Sequence, residues 1–337
     1  MRNYSLAIKG NPQMAKTTNR NRLIDYAAFK TARINRLAYS KLKGTWLYSW
    51  YIVRSFKRKT ETRRQTSAPL FSEQVLYEEA KDRLALSSNL THPKTYFQSK
   101  LHQRRFLQNL GSQLPTLHYQ GPQEGLSRLQ DGQYFVKPTC GTNAKGAFVF
   151  KKHGNRTDIE EIAEISGVQS HHINGSNSLI TNYMAEDLLF DRYFSSLVDY
   201  KAYCFFPGHV DHILCIQRTP RKMGASFLPS GEPIETGKLK DRTMRHPPSE
   251  AIRQVAREAK RISARIPLSF VRLDFYVTTA GVIAGEITPI PGNAKTFSSE
   301  YDRQLGEKWW VARRALRRAT ESLDYLTEFT QRNIMFY

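Results

Sequence analysis

Hydrophobic and polar residues alternate most regularly between Val271 and Val277. The apolar side chains take every second position there, and Arg272, Asp274 and Tyr276 fall between them. A period of two is typical of a β-strand that buries one face. We therefore predict a strand whose other face carries charged and polar groups.

The residues after this strand predict a β-hairpin. A three-residue turn over 279–281, with a glycine at the position that needs a positive φ, leads into a second strand that ends at Thr288. A register centred on that turn places Asp274 opposite Glu286 and Arg272 opposite Thr288. All four side chains then share one face of the hairpin.

Two opposed carboxylates make this hairpin chemically distinctive. Opposed Cβ atoms lie about 5 Å apart, so Asp274 and Glu286 repel each other unless a cation lies between them. Oxygen ligands of this kind favour a hard divalent ion, Mg²⁺ first. The alternative is an exposed hairpin in which water or Arg272 neutralises the acids.

A period of 3.6 residues marks a second strong pattern, an amphipathic helix from Ser249 to Ile266 with Ser249 as its N-cap. Other patterns predict helices over 72–86, 96–110, 157–166 and 300–326, and strands over 133–137, 147–151, 178–184, 199–206 and 209–218. The long polar stretch 219–246 is typical of a lid or binding loop.

Residues 138–146 form a small polar loop between two of these strands. Gly141 and Gly146 bracket it, while Thr142 supplies a hydroxyl and Lys145 a charge. Successive backbone N–H groups in such a loop can bind an anion. The GKS or GKT ending of a Walker A loop is missing, and a plain hairpin loop is the alternative.

The net charge of +21 is concentrated near the start of the sequence. Residues 1–68 contain 16 Lys and Arg against two Asp and Glu, and so carry 14 of the 21 net charges. We predict helix from about residue 21 to 58, including an aromatic stretch, Thr45–Val53, that precedes the cations of Arg54–Lys59. Three interpretations of this segment are open. It docks on the rest of the protein as an ordinary helix, it lies on an anionic membrane surface, or it contacts nucleic acid. Nucleic acid is the weakest option, because no nucleic-acid motif accompanies the charge.

The remaining composition bears on the cellular compartment. The three cysteines show no metal-ligand spacing, and no apolar run reaches the roughly 20 residues that span a bilayer. We expect a cytoplasmic protein without a signal peptide. Peripheral attachment to the inner face of the membrane is an option for the basic extension.

The motifs between residues 96 and 310 resemble, in their order, those of ATP-grasp enzymes. They are most similar to the subgroup associated with teichuronopeptide and polysaccharide biosynthesis. The motifs are SKL at 99–101, FVKP at 135–138, LITNYM at 179–184, DYKAYCF at 199–205, VRLDF at 271–275 and GEIT at 285–288.

This resemblance implies an α+β fold, the ATP-grasp fold, in which two α+β subdomains with mainly antiparallel sheets sandwich ATP. A basic, largely helical extension would occupy residues 1–68, and a connecting helix and linker residues 69–95. The N-terminal subdomain with the phosphate loop would span residues 96–180, and the C-terminal subdomain with the metal site residues 181–337.

The resemblance also implies which residues bind ATP. One group would hold the phosphates, a second would contact adenine through its backbone, and a third would lie near the ribose and phosphates. In that order they are Lys100, Lys137, Gly141, Thr142, Asn143, Lys145 and Gly146; Asn182, Tyr183 and Met184; and Asp199 and Lys201. Thr181 stands where many relatives have Glu, so recognition of adenine by a side chain is not implied.

The hairpin would supply the metal ligands and a catalytic residue. Asp274 and Glu286 match the family's two acidic metal ligands, and Thr288 takes the place of the Asn found in D-alanine–D-alanine ligases. Arg272 would stabilise charge on the transferring phosphoryl group or on the tetrahedral intermediate.

The implied activity is ADP-forming carbon–nitrogen ligation through an acyl phosphate, with ATP and Mg²⁺ as cofactors and Mn²⁺ as a substitute. The partners would be small-molecule or glycan-linked carboxylates and amines, in the synthesis of cell-surface polysaccharide or peptide-modified glycan. An ATP-grasp phosphotransferase and an inactive, membrane-associated scaffold are the alternatives. The joint presence of Lys100, Lys137, Asp274 and Glu286 argues against the scaffold.

Overall fold

The computed structural model describes residues 46–61, 68–84, 93–139, 146–154, 156–161, 182–218, 221–239, 243–291 and 296–321. The chain divides into two compact units, residues 1–88 and 89–337. The helices are α1 Trp46–Glu61, α2 Phe71–Leu84, α3 Pro93–Tyr96, α4 Lys100–Asn109, α5 Ser249–Ser263 and α6 Ser299–Glu321, with a 3-10 helix at Gln123–Arg128. The strands are β1 Leu117–Gly121, β2 Gly132–Pro138, β3 Phe148–His153, β4 Arg156–Glu161, β5 Tyr183–Asp187, β6 Val198–Phe205, β7 His209–Gln217, β8 Met223–Phe227, β9 Pro233–Ile234, β10 Phe270–Thr278 and β11 Gly281–Thr288.

In the first unit, α1 packs against α2. The rings of Phe56 and Tyr77 stack with their centroids 4.2 Å apart, and Phe71 and Val75 are buried. The predicted helix over 21–58 is observed from residue 46 onward, and residues 21–45 lie outside the described residues. Among the described helices, none combines the length and apolar character needed to cross a bilayer.

The second unit contains two antiparallel sheets, which confirms the predicted α+β class. The smaller sheet has five strands in the order β1-β5-β2-β3-β4, and the larger has six in the order β11-β10-β6-β7-β8-β9. The chain passes from the smaller sheet to the larger after β5.

Helix α5 covers one face of the larger sheet. Its apolar side chains and those of β10 belong to one buried cluster: Ala251, Ile252, Val255, Ala256, Ala259 and Ile262 from the helix, with Val271, Leu273, Phe275 and Val277 from the strand. Burial of one such large aliphatic side chain stabilises the fold by about 1.5–3 kcal/mol. The other face of β10 is thereby left for the polar residues.

The predicted N-cap of this helix is wrong. Pro248 occupies the cap position, and Ser249 is the first helical residue. The Ser249 hydroxyl donates to the carbonyl of Gly231 at 3.4 Å, so it ties the helix to the β8–β9 connection.

Helix α4 connects the two sheets. The side-chain oxygen of Gln103 accepts a hydrogen bond from the backbone of Ile287 on β11 at 2.9 Å. The next residue, Arg104, pairs with Glu186 on β5 at 2.8 Å. Adjacent positions on one helix therefore contact an edge strand of the larger sheet and a central strand of the smaller one.

Two predictions for secondary structure are wrong. Residues 157–161 belong to strand β4 instead of a helix, because pairing with β3 overrides a locally helix-favouring composition. The predicted loop 219–246 contains β8 and β9, which extend the larger sheet beyond β7. These strands are short and include Gly224 and Pro233, so their pattern is weak in sequence.

Candidate active site

The β10–β11 hairpin brings together the four residues that the sequence pairs across it. Asp274 is opposite Glu286, and Arg272 is opposite Thr288, as predicted. Their side chains share the face of the sheet that α5 does not cover, because the intervening residues of β10 point into the apolar cluster.

The turn of the hairpin differs from the predicted one. Thr278 pairs with Gly281, so the turn has two residues instead of three. The register then shifts by one residue, with Gly285 as the extra residue of a β-bulge. The shorter turn and the bulge offset each other, so the predicted pairing is observed despite the wrong turn. A Cβ at position 285 would lie 2.8 Å from Cε2 of Tyr276, which explains the glycine.

Asp274 is buried and is held by two cations. Arg272 donates to its oxygens from Nε at 2.6 Å and from Nη2 at 2.9 Å, and the Lys201 ammonium donates to Oδ2. Burial alone would raise the pKa of Asp274, but the charges and hydrogen bonds of Arg272 and Lys201 hold it below its ordinary value. The carboxylate is therefore ionised at neutral pH, as a metal ligand must be.

Strand β6 supplies the charges beside this hairpin. Lys201 is directly opposite Asp274 in the β6–β10 ladder. Two residues earlier, Asp199 accepts from Arg218 at 2.7 Å and lies 3.5 Å from the Lys201 ammonium. Positive and negative groups thus alternate across the sheet, an arrangement suited to a phosphate chain with its metal ions.

Glu286 and Thr288 are the other oxygen-bearing side chains on this face of the hairpin. Among the described residues, no cation pairs with the Glu286 carboxylate, while the Thr288 hydroxyl accepts from Arg272 at 3.0 Å. Also within the described residues, no group of three or more His, Cys, Asp or Glu side chains could hold a metal ion. Two carboxylates, completed by substrate phosphates and water, are a typical Mg²⁺ ligand set. The residues present therefore fit Mg²⁺ bound together with a nucleotide.

The smaller sheet contributes a second charged cluster. Lys137 on β2 pairs with Glu186 on β5 at 2.5 Å, and Arg104 of α4 pairs with the other carboxylate oxygen at 2.8 Å. The Glu186 side chain is only 5% exposed. A buried acid thus orients the Lys137 ammonium.

Glu186 and Arg104 were missed by sequence reasoning, which looked for an acid at position 181. A signal was present, because Glu186 lies two residues after Met184 and so on the same face of a strand. Met184 is directly opposite Lys137, which puts Glu186 within reach of that lysine.

Lys100 lies at the first position of α4, where the backbone N–H groups are positively polarised. Ser99 caps this helix by accepting from the backbone of His102. The Lys100 backbone donates to the carbonyl of Thr139 at 3.2 Å, which ties the helix start to the end of β2. The predicted phosphate loop begins just after Thr139.

Of the loop 138–146, the structure describes Pro138, Thr139 and Gly146. Gly146 has a φ of +74°, a backbone conformation that glycine adopts readily. Gly141, Thr142, Asn143 and Lys145 lie outside the described residues, so their roles stay predictions.

The predicted adenine contacts lie at the start of β5. Tyr183 pairs with Gly121 on one side and Pro138 on the other, and the Asn182 carbonyl accepts from Thr139 at 3.0 Å. The backbone of Tyr183 and Met184 thus lies within the sheet, between two neighbouring strands. The residues after Asp187 leave the smaller sheet.

The structure therefore gathers the predicted residues into two groups. The larger sheet carries Asp199, Lys201, Arg272, Asp274, Glu286 and Thr288, and the smaller sheet and α4 carry Lys100, Lys137 and the start of β5. The first group offers carboxylate oxygens for a metal, and the second offers cations for phosphates.

Comparisons with known proteins complete this description. A sequence profile described as "TupA-like ATPgrasp" matches residues 83–310. A search of curated protein sequences gave no match.

A comparison with solved structures matched several ligases. D-alanine–D-alanine ligase from Bacillus anthracis is 14% identical, with a TM-score of 0.43, covering 67% of this chain and 71% of that protein. The enzyme of the same name from Helicobacter pylori is 13% identical, with a TM-score of 0.38, covering 64% and 58%. L-amino acid ligase from Bacillus licheniformis is 11% identical, with a TM-score of 0.39, covering 65% and 47%.

Proposed function

Because this chain belongs to the TupA-like ATP-grasp family, we propose that it is an ATP- and Mg²⁺-dependent ligase that joins a carboxylate to an amine. The observation that supports this best is the pair of opposed acids, Asp274 and Glu286, on a face shared with Lys201 and Arg272. Mg²⁺ held by those acids would neutralise phosphate charge.

The proposed reaction has two steps. A carboxylate oxygen attacks the γ-phosphorus of ATP, the bond between that phosphorus and the bridging oxygen of ADP breaks, and an acyl phosphate forms. The amine nitrogen then attacks the acyl carbon and loses a proton, and the bond to phosphate breaks. The products are an amide, ADP and inorganic phosphate.

The residues of this chain would act by position and charge. Lys137 and Lys100 would bind phosphates, and Lys201 would move between Asp274 and a phosphate oxygen. Arg272, oriented by its bonds to Asp274 and Thr288, would stabilise charge at the reacting phosphoryl or acyl group. Loss of one such contact raises a barrier by on the order of 3 kcal/mol.

We further propose that the adenine side of the site lies near Glu186 and the residues that follow β5. A carboxylate has about four lone-pair positions. Lys137 and Arg104 bind one oxygen each, so Glu186 retains capacity to accept from an exocyclic amine.

The proposed setting is the synthesis of cell-surface polysaccharide or peptide-modified glycan, in the cytoplasm or at the inner face of the membrane. The subgroup resemblance and the basic residues 1–68 support it. A glycan-linked carboxylate or amine is the proposed substrate class.

The replacement Glu286→Gln tests the metal pair. It keeps the shape of the side chain but removes the charge, so Mg²⁺-dependent ATP binding should weaken by roughly tenfold or more. The measurement is a calorimetric titration of the full-length protein with ATP, with and without Mg²⁺. Glu232→Gln, at an exposed position, is the matched control and should behave as wild type.

Product analysis separates the reaction classes. Wild-type protein with ATP, Mg²⁺, a panel of carboxylic acids and hydroxylamine as the amine should release ADP and form a hydroxamate. A phosphorylated acceptor would instead indicate a phosphotransferase, and release of AMP with pyrophosphate would contradict both. Equal Mg²⁺-dependent ATP binding by wild type and Glu286→Gln would refute the metal assignment.

A further inference from the structure

Lys238 lies beside the candidate active site but belongs to none of its charged pairs. Its ammonium donates to the hydroxyl of Tyr203 at 3.0 Å and lies 4.3 Å from the ring centroid of Phe297. Tyr203 is directly opposite Arg272 in the β6–β10 ladder. Tyr203 follows Lys201 by two residues on β6, so both side chains are on the same face. Lys238, which contacts Tyr203, therefore lies on the Arg272 side of the proposed metal pair.

The backbone around Lys238 is held in an unusual conformation. Leu239 has a φ of +54°, which is uncommon for a residue other than glycine, and Gly237 has a φ of +81°. The Thr236 carbonyl accepts from the backbone of Ser298 at 2.9 Å, which fixes this segment beside Phe297. Such conformations cost free energy and cluster at ligand-binding positions.

The charges on this face leave Lys238 without a counterion in the described part of the chain. Arg272 and Lys201 are bound to Asp274, and Arg218 is bound to Asp199. No described carboxylate pairs with Lys238, which is partly buried between two aromatic rings. A half-buried ammonium without a carboxylate retains most of its attraction for an anion.

We infer that Lys238 binds the carboxylate of the acceptor substrate, with its ammonium held in place by Tyr203 and Phe297. This inference rests on the proposed function. A substrate carboxylate must approach a triphosphate of the same sign, so a cation that is not already neutralised is needed at that end. Within the described residues Lys238 meets this requirement, and its position beyond Arg272, away from Asp199, separates it from the ribose side of the site.

Phe297 and Tyr203 fix the position of the Lys238 ammonium. Both rings are buried, and their centroids lie 5.6 Å apart at 79°. The ammonium lies 4.3 Å from the ring centroid of Phe297 and 5.5 Å from that of Tyr203.

The test compares wild type, Lys238→Met and Lys238→Arg in the full-length protein, with Lys260→Met on the exposed face of α5 as matched control. The hydroxamate assay with a panel of carboxylic acids gives KM for the acid and for ATP. Lys238→Met should raise KM for the acid about tenfold or more, since a charged hydrogen bond is lost, with KM for ATP changed less than about twofold. Lys238→Arg should recover part of the loss, and Lys260→Met should match wild type.

Titrations with Mg-ADP and Mg-AMP-PNP distinguish a substrate carboxylate from the γ-phosphate. Equal affinities of wild type and Lys238→Met for both nucleotides support the inference and also show that the variant is folded. Weaker AMP-PNP binding with unchanged ADP binding would move Lys238 to the γ-phosphate and overturn it. Unchanged KM for the acid in Lys238→Met would overturn it too.

Failure of the proposed function would look different. Wild-type protein that binds no Mg-ATP, or that forms no hydroxamate with any acid of the panel, would remove the ligase proposal and the acceptor subsite together. Wild-type ligation with an unaffected Lys238→Met variant would remove the subsite alone.

Discussion

Asp211 is a buried carboxylate that three side chains hold. His212 Nδ1 and the Tyr301 hydroxyl each lie 2.7 Å from Oδ2, and Lys308 pairs with Oδ1. Burial opposes ionisation of Asp211, but the hydrogen bond and charge of His212 and those of Lys308 outweigh it, so its pKa lies well below the ordinary value. A group with a depressed folded-state pKa contributes stability above its unfolded pKa and loses it as pH falls.

The variant Asp211→Asn should therefore be destabilised in a pH-dependent way. At pH 7 its free energy of unfolding should be about 3 kcal/mol below that of wild type, because Lys308 and Tyr301 lose a buried charge. The deficit should begin to shrink below about pH 4.5, as the unfolded carboxyl of the wild type takes up its proton, and should continue to shrink until the folded carboxyl is protonated too. Urea denaturation at several pH values measures it, and Asp158→Asn, at an exposed position, is the control. A deficit that is the same at pH 7 and at about pH 3 would contradict the ionic explanation.

The contact between two side chains was predictable from the sequence where the two residues are close together along the chain. Asp274 and Glu286 belong to one hairpin, so a period of two and a turn suffice to place them together. Arg104 and Glu186 are 82 residues apart. Only the packing of α4 against β5 brings them into contact, and no local pattern encodes that packing.

Helix α5 is the element whose sequence pattern and structural role agree best. Ile252, Val255 and Ile262 are fully buried against the larger sheet, on the face opposite the candidate site. The helix thereby sets which side of β10 points away from water. By packing on one face of β10, it also fixes the opposite direction for Arg272 and Asp274.

Replacement of Ile262 by Ala should lower the free energy of unfolding by about 2–5 kcal/mol, since it leaves a cavity in a packed core. Urea denaturation of the full-length protein measures this loss. Ile159→Ala is the matched control, because Ile159 on β4 is 48% exposed and should cost well under 1 kcal/mol. A similar loss in both variants would argue against α5 as a core element.

The sequence predicts the pairing of strands that follow each other along the chain, but not the order of strands in the sheets. The β6–β7 and β10–β11 pairs join neighbours in sequence, and both follow from alternation and turn residues. The β6–β10 and β1–β5 pairs connect distant segments, and their partners depend on the whole fold. The edge strand β4 was predicted as a helix because its local composition favours a helix, and only its pairing with β3 makes it a strand.

At the scale of the molecule, the boundary between the two units bears on the role of the basic extension. The predicted extension ended at residue 68, between α1 and α2. These helices pack together, and a chain cut at residue 68 would separate Phe56 from the ring of Tyr77 on which it stacks. Residue 88, where the first unit ends, is the better place to divide the protein.

A chain of residues 89–337 should retain Mg²⁺-dependent ATP binding and lose any affinity for anionic lipid. Pelleting with vesicles that contain phosphatidylglycerol compares it with the full-length protein, in which Arg54 and Lys57 of α1 are exposed. Each cation near an anionic surface contributes roughly 1 kcal/mol, so binding of the full chain should fall steeply with added salt. Phosphatidylcholine vesicles are the control. Equal pelleting of both chains with anionic vesicles would exclude a membrane role for residues 1–88.

The bulge at Gly285 determines which face of the sheet the Glu286 side chain reaches. If Gly285 took a regular place in the ladder, the two-residue turn would bring Glu286 opposite Leu273, and the carboxylate would point into the apolar layer beneath α5. Deleting Gly285 would remove the bulge but leave Glu286 opposite Asp274. A substitution that suppressed the bulge at the same chain length would instead turn Glu286 to the other face of the sheet. The pairing of the two acids therefore depends on the turn and the bulge together.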